Sequence, residues 1–156
     1  MRDVCNLVIK NMKALIQRVS RAKVTVENRT TGEIAHGILV LLSITHEDTA
    51  KDVDHLVEKI VNLRIFEGEK SSFDKSISEV GGSLLVVSQF TLYGSTKKGR
   101  RPDFTASAKP EFAKELYDLF VNKAGEAGIS VATGEFGAMM DVELVNYGPV
   151  TFMLES

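Results

Sequence analysis

Ser83-Leu84-Leu85-Val86-Val87-Ser88-Gln89-Phe90-Thr91-Leu92-Tyr93 is the stretch on which the organisation of the chain turns. Its apolar run is continuous rather than alternating, the pattern of a strand covered on both faces. Such a strand needs neighbours on each side, and the sequence supplies them. Upstream, Lys13 to Glu27 is rich in β-branched residues and ends in alternation, with Val24 and Val26 set against Lys23, Thr25 and Glu27. Ile34-Ala35 and Ile38 to Thr45, punctuated by Gly32 and Gly37, continue as strands. Downstream, three short strands are expected around Ile129–Thr133, Asp141–Asn146 and Val150–Leu154. Between them lie two main helices. Asp48 or Thr49 caps the first, whose apolar residues Val53, Leu56, Val57, Ile60 and Val61 fall on one stripe. Pro110 opens the second, with Phe112, Leu116, Leu119 and Phe120 inward and Gly128 at its end. Runs of strands with only two helices predict an α+β single domain rather than alternating βαβ units. Its core is sheet-rich and barrel-like, mostly antiparallel, with helices packed on one side.

A chain of 156 residues, 44% hydrophobic and 26% charged, has the size and composition of one soluble domain with a core of its own. The lone Cys5 excludes a disulfide framework and any multi-cysteine metal site. His36, His46 and His55 stand far apart and form no metal-ligand pattern, so no metal or cofactor is expected. The apolar runs are too short for a membrane span, and the N-terminus lacks the apolar core of a secretory signal. A cytoplasmic protein is expected. The net charge of −2 alone argues against generic nucleic-acid binding, and no DNA partner is expected, but the charges are segregated. Five bases and no acid lie between Val4 and Val26, and five acids with no Lys or Arg follow Ala124. Lys97, Lys98, Arg100 and Arg101 crowd around Gly99. Blocks of this kind are either solvated surface or a basic face on a near-neutral molecule.

The familiar catalytic signatures are absent: no GxGxxG, no phosphate-binding GxxxxGK, no GxSxG and no supported Ser–His–Asp set. Asp52 and Asp54 fall at a helix start, where acids favour the dipole. Two segments stand out instead. In Ser88-Gln89-Phe90-Thr91-Leu92-Tyr93 the apolar strand abruptly gains polar side chains, with Gln89, Thr91 and Tyr93 expected on one face. Polar groups at the end of a buried strand are either satisfied structurally or line a pocket. In Asn146-Tyr147-Gly148-Pro149-Val150-Thr151 a Gly-Pro pair breaks two strands, either as a plain turn or with a cis bond.

On these residues the chain from Met12 to Ser156 resembles the D-aminoacyl-tRNA deacylases. The matching stretches are Ile16-Gln17-Arg18-Val19-Ser20 with Ala22-Lys23-Val24, Asn62-Leu63-Arg64-Ile65-Phe66, Ser88–Tyr93, Lys98-Gly99-Arg100-Arg101-Pro102, Phe136-Gly137-Ala138 with Met140, and Asn146–Thr151. The resemblance implies the fold of that family in residues 12–156, after an extension of residues 1–11 that begins upstream of the usual start. It implies a homodimeric enzyme that cleaves the ester between a D-amino acid and the terminal adenosine of tRNA, with glycine mischarged on alanine tRNA as a further substrate. Ser88, Gln89, Phe90 and Thr91 would line the pocket, with Phe90 and Thr91 supplying backbone donors. Gly148-Pro149, followed by Val150 and Thr151, would be cis and reach into the partner subunit's pocket. Arg18 would orient that pair. Phe136, Gly137, Ala138 and Met140 would wall the terminal nucleoside, and Lys97, Lys98, Arg100 and Arg101 would meet tRNA phosphate. Phe73-Asp74 depart from the Met-Asn common in that family.

The missing catalytic base suits such a reaction. An aminoacyl ester is already activated, so positioning and oxyanion stabilisation can suffice, and the resemblance implies that the terminal ribose 2′-OH helps to activate water. Thr91 is a rival nucleophile, but no general base is apparent beside it. Two other readings stand beside this one. A non-enzymatic RNA-binding module would use the Lys97–Arg101 patch without cleaving esters. A small-molecule hydrolase with Thr91 as nucleophile would turn over simple esters.

Overall fold

β1 (Lys13–Val26) is the spine of the sheet. The computed structural model describes residues 11–156, so Cys5 and the rest of residues 1–10 lie outside the described residues. The first half of β1 pairs antiparallel with β3 (Gly37–Ser43), from Lys13↔Ser43 to Val19↔Gly37. Its second half pairs antiparallel with β2 (Arg29–Ile34), and β6 (Asp141–Glu155) runs antiparallel along its other side. Beyond β3, β4 (Ser83–Ser88) and β5 (Ser130–Thr133) are added in parallel. Parallel neighbours need long crossovers. α1 (Ala50–Asn62) and the single turn α2 (Ile77–Val80) lie in the first, and α3 (Pro110–Glu126) in the second. The α+β expectation holds, with two parallel pairings inside a sheet whose other three are antiparallel. No described helix is long and apolar enough to cross a membrane.

β4 has the double burial that its apolar run predicts. Leu84 and Val86 join the core under the helices, while Leu85 and Val87 join a second cluster with Val19, Val24 and Leu39 inside the curled sheet. The curl brings the ends of the sheet together at Gly32. A Cβ there would fall 2.2 Å from the Thr133 carbonyl oxygen, so only glycine lets β2 approach β5 and nearly close the barrel.

Thr49, not Asp48, caps α1: its hydroxyl accepts from the Lys51 N–H, and the Asp52 carboxylate accepts from the Thr49 N–H at 2.7 Å. All five residues of the α1 stripe are buried. The α3 stripe needs correction. Phe112, in the first turn of the helix, is exposed, and Leu119 is only partly buried. Tyr117 is buried in their place and donates its hydroxyl hydrogen to the Val86 carbonyl at 2.8 Å.

Two strands also differ from expectation. Ser83–Tyr93 is not one strand: the ladder ends where its partners end, with Gln89 N–H on the Leu42 carbonyl at 2.8 Å. The chain then closes into a 3-10 turn over Phe90–Tyr93, so Gln89, Thr91 and Tyr93 do not share a strand face. Conversely, the two expected strands Asp141–Asn146 and Val150–Leu154 are one strand, β6. Its partner β1 continues past the break, and β6 is an edge strand on which a proline costs no ladder bond.

Candidate active site

The 3-10 turn that ends β4 forms one wall of a cavity of about 670 Å³. Ser88, Gln89 and Phe90 face Phe136, Gly137, Ala138 and Met140 across it, so seven of the residues singled out in the sequence meet at one place. The lining is largely apolar, and Lys109 is the one charged residue in it among the described residues. Among the described residues, no carboxylate or imidazole lines it.

The backbone at Phe90 is held from the far side. Ser107 donates its hydroxyl hydrogen to the Phe90 carbonyl at 2.8 Å, and Phe90 packs edge-on against Phe104 at 5.1 Å. The segment carrying Ser107 is tied down by Thr45, whose hydroxyl donates to the Ala106 carbonyl at 2.6 Å. A trans peptide is planar, so fixing the Phe90 carbonyl fixes the opposite direction of the Thr91 N–H. The amides of Phe90 and Thr91 open the 3-10 turn and have no partner within it. Thr91 does not line the cavity: its side chain is exposed, and its oxygen accepts a short hydrogen bond from Gln89 Nε2. Its hydroxyl therefore sits beside an amide and not a base.

Gly148 and Pro149 are elsewhere. They sit in an excursion of β6 opposite Arg18, between the pairs Val19↔Asn146 and Gln17↔Thr151, and they do not line their own chain's cavity. The bond between them is cis. Arg18 is buried beneath the excursion, with Nε donating to the Tyr147 carbonyl at 2.9 Å and Nη1 to the Ile65 carbonyl at 2.8 Å. Its guanidinium also lies 4.8 Å from the centre of the Tyr147 ring. Asn146 clamps the base: Oδ1 accepts from the Val150 N–H at 2.7 Å, and Nδ2 donates to Thr151 Oγ1 at 2.8 Å. Tyr147 gives its hydroxyl hydrogen to Glu67 in a short bond, which holds the phenol above its ordinary pKa. Gly148 and Pro149 are exposed at the tip, whereas Val150 is buried.

Lys97, Lys98, Arg100 and Arg101 are exposed, and none forms an ion pair among the described residues. They ride on a loop closed by the Ser95↔Asp103 bridge. That loop joins the 3-10 turn to Phe104, so both of its ends lead into the cavity wall. Phe73 lies away from the cavity, its ring 6.4 Å from that of Phe152 on β6. The sequence reading missed Ser107, Phe104 and Lys109 on the cavity wall and the clamp by Asn146. Only Pro110 marked their neighbourhood, as the start of a helix.

A strand-end pocket without a base and a clamped Gly-Pro excursion on a nearly closed mixed sheet define the class. The sequence profile of the family described as D-Tyr-tRNA(Tyr) deacylase matches residues 15–155, and the chain belongs to that family. Among its relatives, the protein of Clostridioides difficile named D-aminoacyl-tRNA deacylase is 55% identical over 145 residues, 93% of this chain and 97% of that one. The Brevibacillus brevis protein of the same name is 53% identical over 145 residues, 93% of this chain and the whole of its own. A solved structure titled c-Myc DNA Unwinding Element Binding Protein superposes with a TM-score of 0.86 at 42% identity, covering 92% of this chain and 98% of that one. Another, of a probable eukaryotic D-amino acid tRNA deacylase, superposes with a TM-score of 0.82. At 19% identity over 94% of this chain and all of that one, it shows the shared fold.

Proposed function

We propose that the protein is an ester hydrolase that releases D-amino acids from tRNA, selecting by chirality and taking glycine as well. The observation that carries the reading is the cavity between Ser88–Phe90 and Phe136–Met140: largely apolar, beside the 3-10 turn whose first amides are unpaired within it, and without an acid or a histidine among the described residues. Water attacks the ester carbonyl carbon, and the carbonyl electron pair moves onto oxygen, where the Phe90 and Thr91 N–H groups receive it. Collapse breaks the bond to the ribose oxygen, which takes up the proton. The neighbouring ribose 2′-OH relays that proton, which supplies the base that the cavity lacks.

The selecting wall belongs to a second copy of the chain. Gly148 and Pro149 are exposed and fixed from below by Arg18, yet stand outside their own cavity. β6 around them has one edge unpaired among the described residues and carries exposed Val145, Tyr147, Phe152 and Met153, beside Phe73. That apolar edge suits a homodimer in which each excursion enters the other's pocket. A main-chain wall excludes an L side chain by shape alone, and thousandfold rejection requires about 4 kcal/mol. Glycine has nothing to exclude. Lys97, Lys98, Arg100 and Arg101 hold the acceptor stem by its phosphates, and a charged-tRNA substrate places the enzyme in the cytoplasm.

Incubation with tRNA charged with labelled D-tyrosine, glycine or L-tyrosine tests this. Release of the first two and retention of the third is expected. Salt-sensitive tRNA binding without release would favour the RNA-binding module, turnover of simple esters would favour a general hydrolase, and either result would overturn the reading. Duplex DNA, suggested by one relative's title, is expected not to compete with charged tRNA.

A further inference from the structure

Asp48 lies in the turn between β3 and α1 and is 3% exposed. Its Oδ2 accepts from the Thr45 N–H at 2.8 Å, but Oδ1 is buried without a hydrogen-bond partner among the described residues. No Lys or Arg forms an ion pair with it among the described residues. A buried carboxylate oxygen left in this way is costly and calls for a donor. The backbone nitrogen of Met12 stands beside it. That fully buried residue donates its single N–H to Ser156 Oγ at 3.1 Å, and the same amide acts on the Asp48 carboxyl. Ser156 returns its own N–H to the Met12 carbonyl at 3.1 Å and gives its hydroxyl hydrogen to Asp52 Oδ1 at 2.6 Å. Acceptors thus converge on one nitrogen that offers a single hydrogen and no charge.

We propose that this cluster is a seat for a free α-ammonium group, completed when Met12 is the first residue of the chain. An ammonium at that nitrogen brings three hydrogens and a positive charge. One hydrogen serves Ser156 Oγ, another Asp48 Oδ1, and the charge balances a buried carboxylate that no described residue pairs. The other ionisable groups facing Asp48 leave the place open. Asp52 of α1 is engaged by Thr49 and Ser156, and Tyr93 approaches from the 3-10 turn with its hydroxyl unpartnered. Lys13 of β1 sends its ammonium over the Tyr93 ring at 4.8 Å, and Glu155 of β6 adds negative charge. A chain of that extent is a whole protein elsewhere: 145 residues here match the entire Brevibacillus brevis relative. The seat is independent of the chemistry at the cavity.

The test compares the full chain with residues 12–156, each with Asp48 and with Asp48→Asn. In the full chain, burial pushes Asp48 up to about 6 against the lowering by the Thr45 and Met12 amides. Its contribution to stability is therefore present below about pH 4 and lost as pH rises through 6. In the chain beginning at Met12 the ammonium reverses the sign, so the contribution of Asp48 grows as pH rises through the carboxylate range. That chain is expected to melt about 2–4 °C higher at pH 7. Its α-amino group, followed by NMR, is expected to titrate above the ordinary 7.7–8.0. The same sign of pH dependence in both chains would overturn the proposal. If Asp48→Asn does not fold, the α-amino titration decides alone: a value at or below 8 means a buried amine without a partner.

Discussion

Arg18 carries a buried charge that forms no ion pair among the described residues and is held by the carbonyls of Tyr147, Ile65 and, at 3.4 Å, Ser72. Such a residue acts through geometry: its fork fixes the peptide that leads into Gly148. Arg18→Leu leaves the buried Ile65 carbonyl unsatisfied, at about 1–3 kcal/mol, and releases the part-buried Tyr147 carbonyl, which frees the excursion. A lower midpoint in urea should accompany a rise in L-tyrosyl-tRNA cleavage that exceeds any change with the D substrate. Destabilisation with unchanged selection would make Arg18 structural alone. Thr91 is the opposite case, an exposed hydroxyl held by Gln89. Thr91→Ala should retain turnover within roughly tenfold, because backbone donors survive the change, whereas loss of a nucleophile costs several orders of magnitude. Wild-type enzyme should lose most of its turnover on tRNA ending in 2′-deoxyadenosine. An inactive Thr91→Ala enzyme beside normal cleavage of the deoxy substrate would establish threonine catalysis.

At the level of elements, the loop closed by Ser95 and Asp103 is a basic handle whose ends lead into the cavity wall. Neutralising Lys97 and Arg101 should raise KM and flatten its salt dependence by about one log–log unit for each phosphate left without its cation. Selection against L substrates should not change; if it did, the loop would be reading the amino acid. The elements themselves were legible to different degrees. The α1 stripe and its cap were readable because helical periodicity and capping are local, and all five apolar positions of that helix are buried. The end of β4 was not readable, since it is set by where β3 and β5 stop, which is a property of the sheet. β6 was misread for the same reason: Gly148-Pro149 is a local stop signal, overridden because β1 keeps pairing on either side of it. Parallel pairing around β4 left only a continuous apolar run as its trace. In the site, the sequence motifs drew the eye to Ser88–Phe90 and Phe136–Met140, whereas Ser107 and Asn146 act through hydrogen bonds to distant or looped partners, which no spacing announces.

For the whole molecule, the cavity and the Gly-Pro excursion occupy different places on one chain. The central claim is that a partner brings them together. Two variants separate the halves. Ala138→Trp fills the cavity and should give an inactive protein with an intact excursion. Gly148→Val places a side chain at a φ of +136°, with its Cβ 2.8 Å from Val150 and 3.0 Å from the Arg18 guanidinium, and should spoil the excursion while sparing the cavity. Alone, the second variant should lose turnover of D-tyrosyl-tRNA or admit L-tyrosyl-tRNA. The decisive measurement is cleavage of both substrates by Gly148→Val after subunit exchange with an excess of the inactive Ala138→Trp chain. In mixed dimers the intact cavity of one chain meets the intact excursion of the other, so D-over-L selection is expected to return toward the wild-type ratio. A ratio that stays at the Gly148→Val value through complete exchange would contradict the shared site.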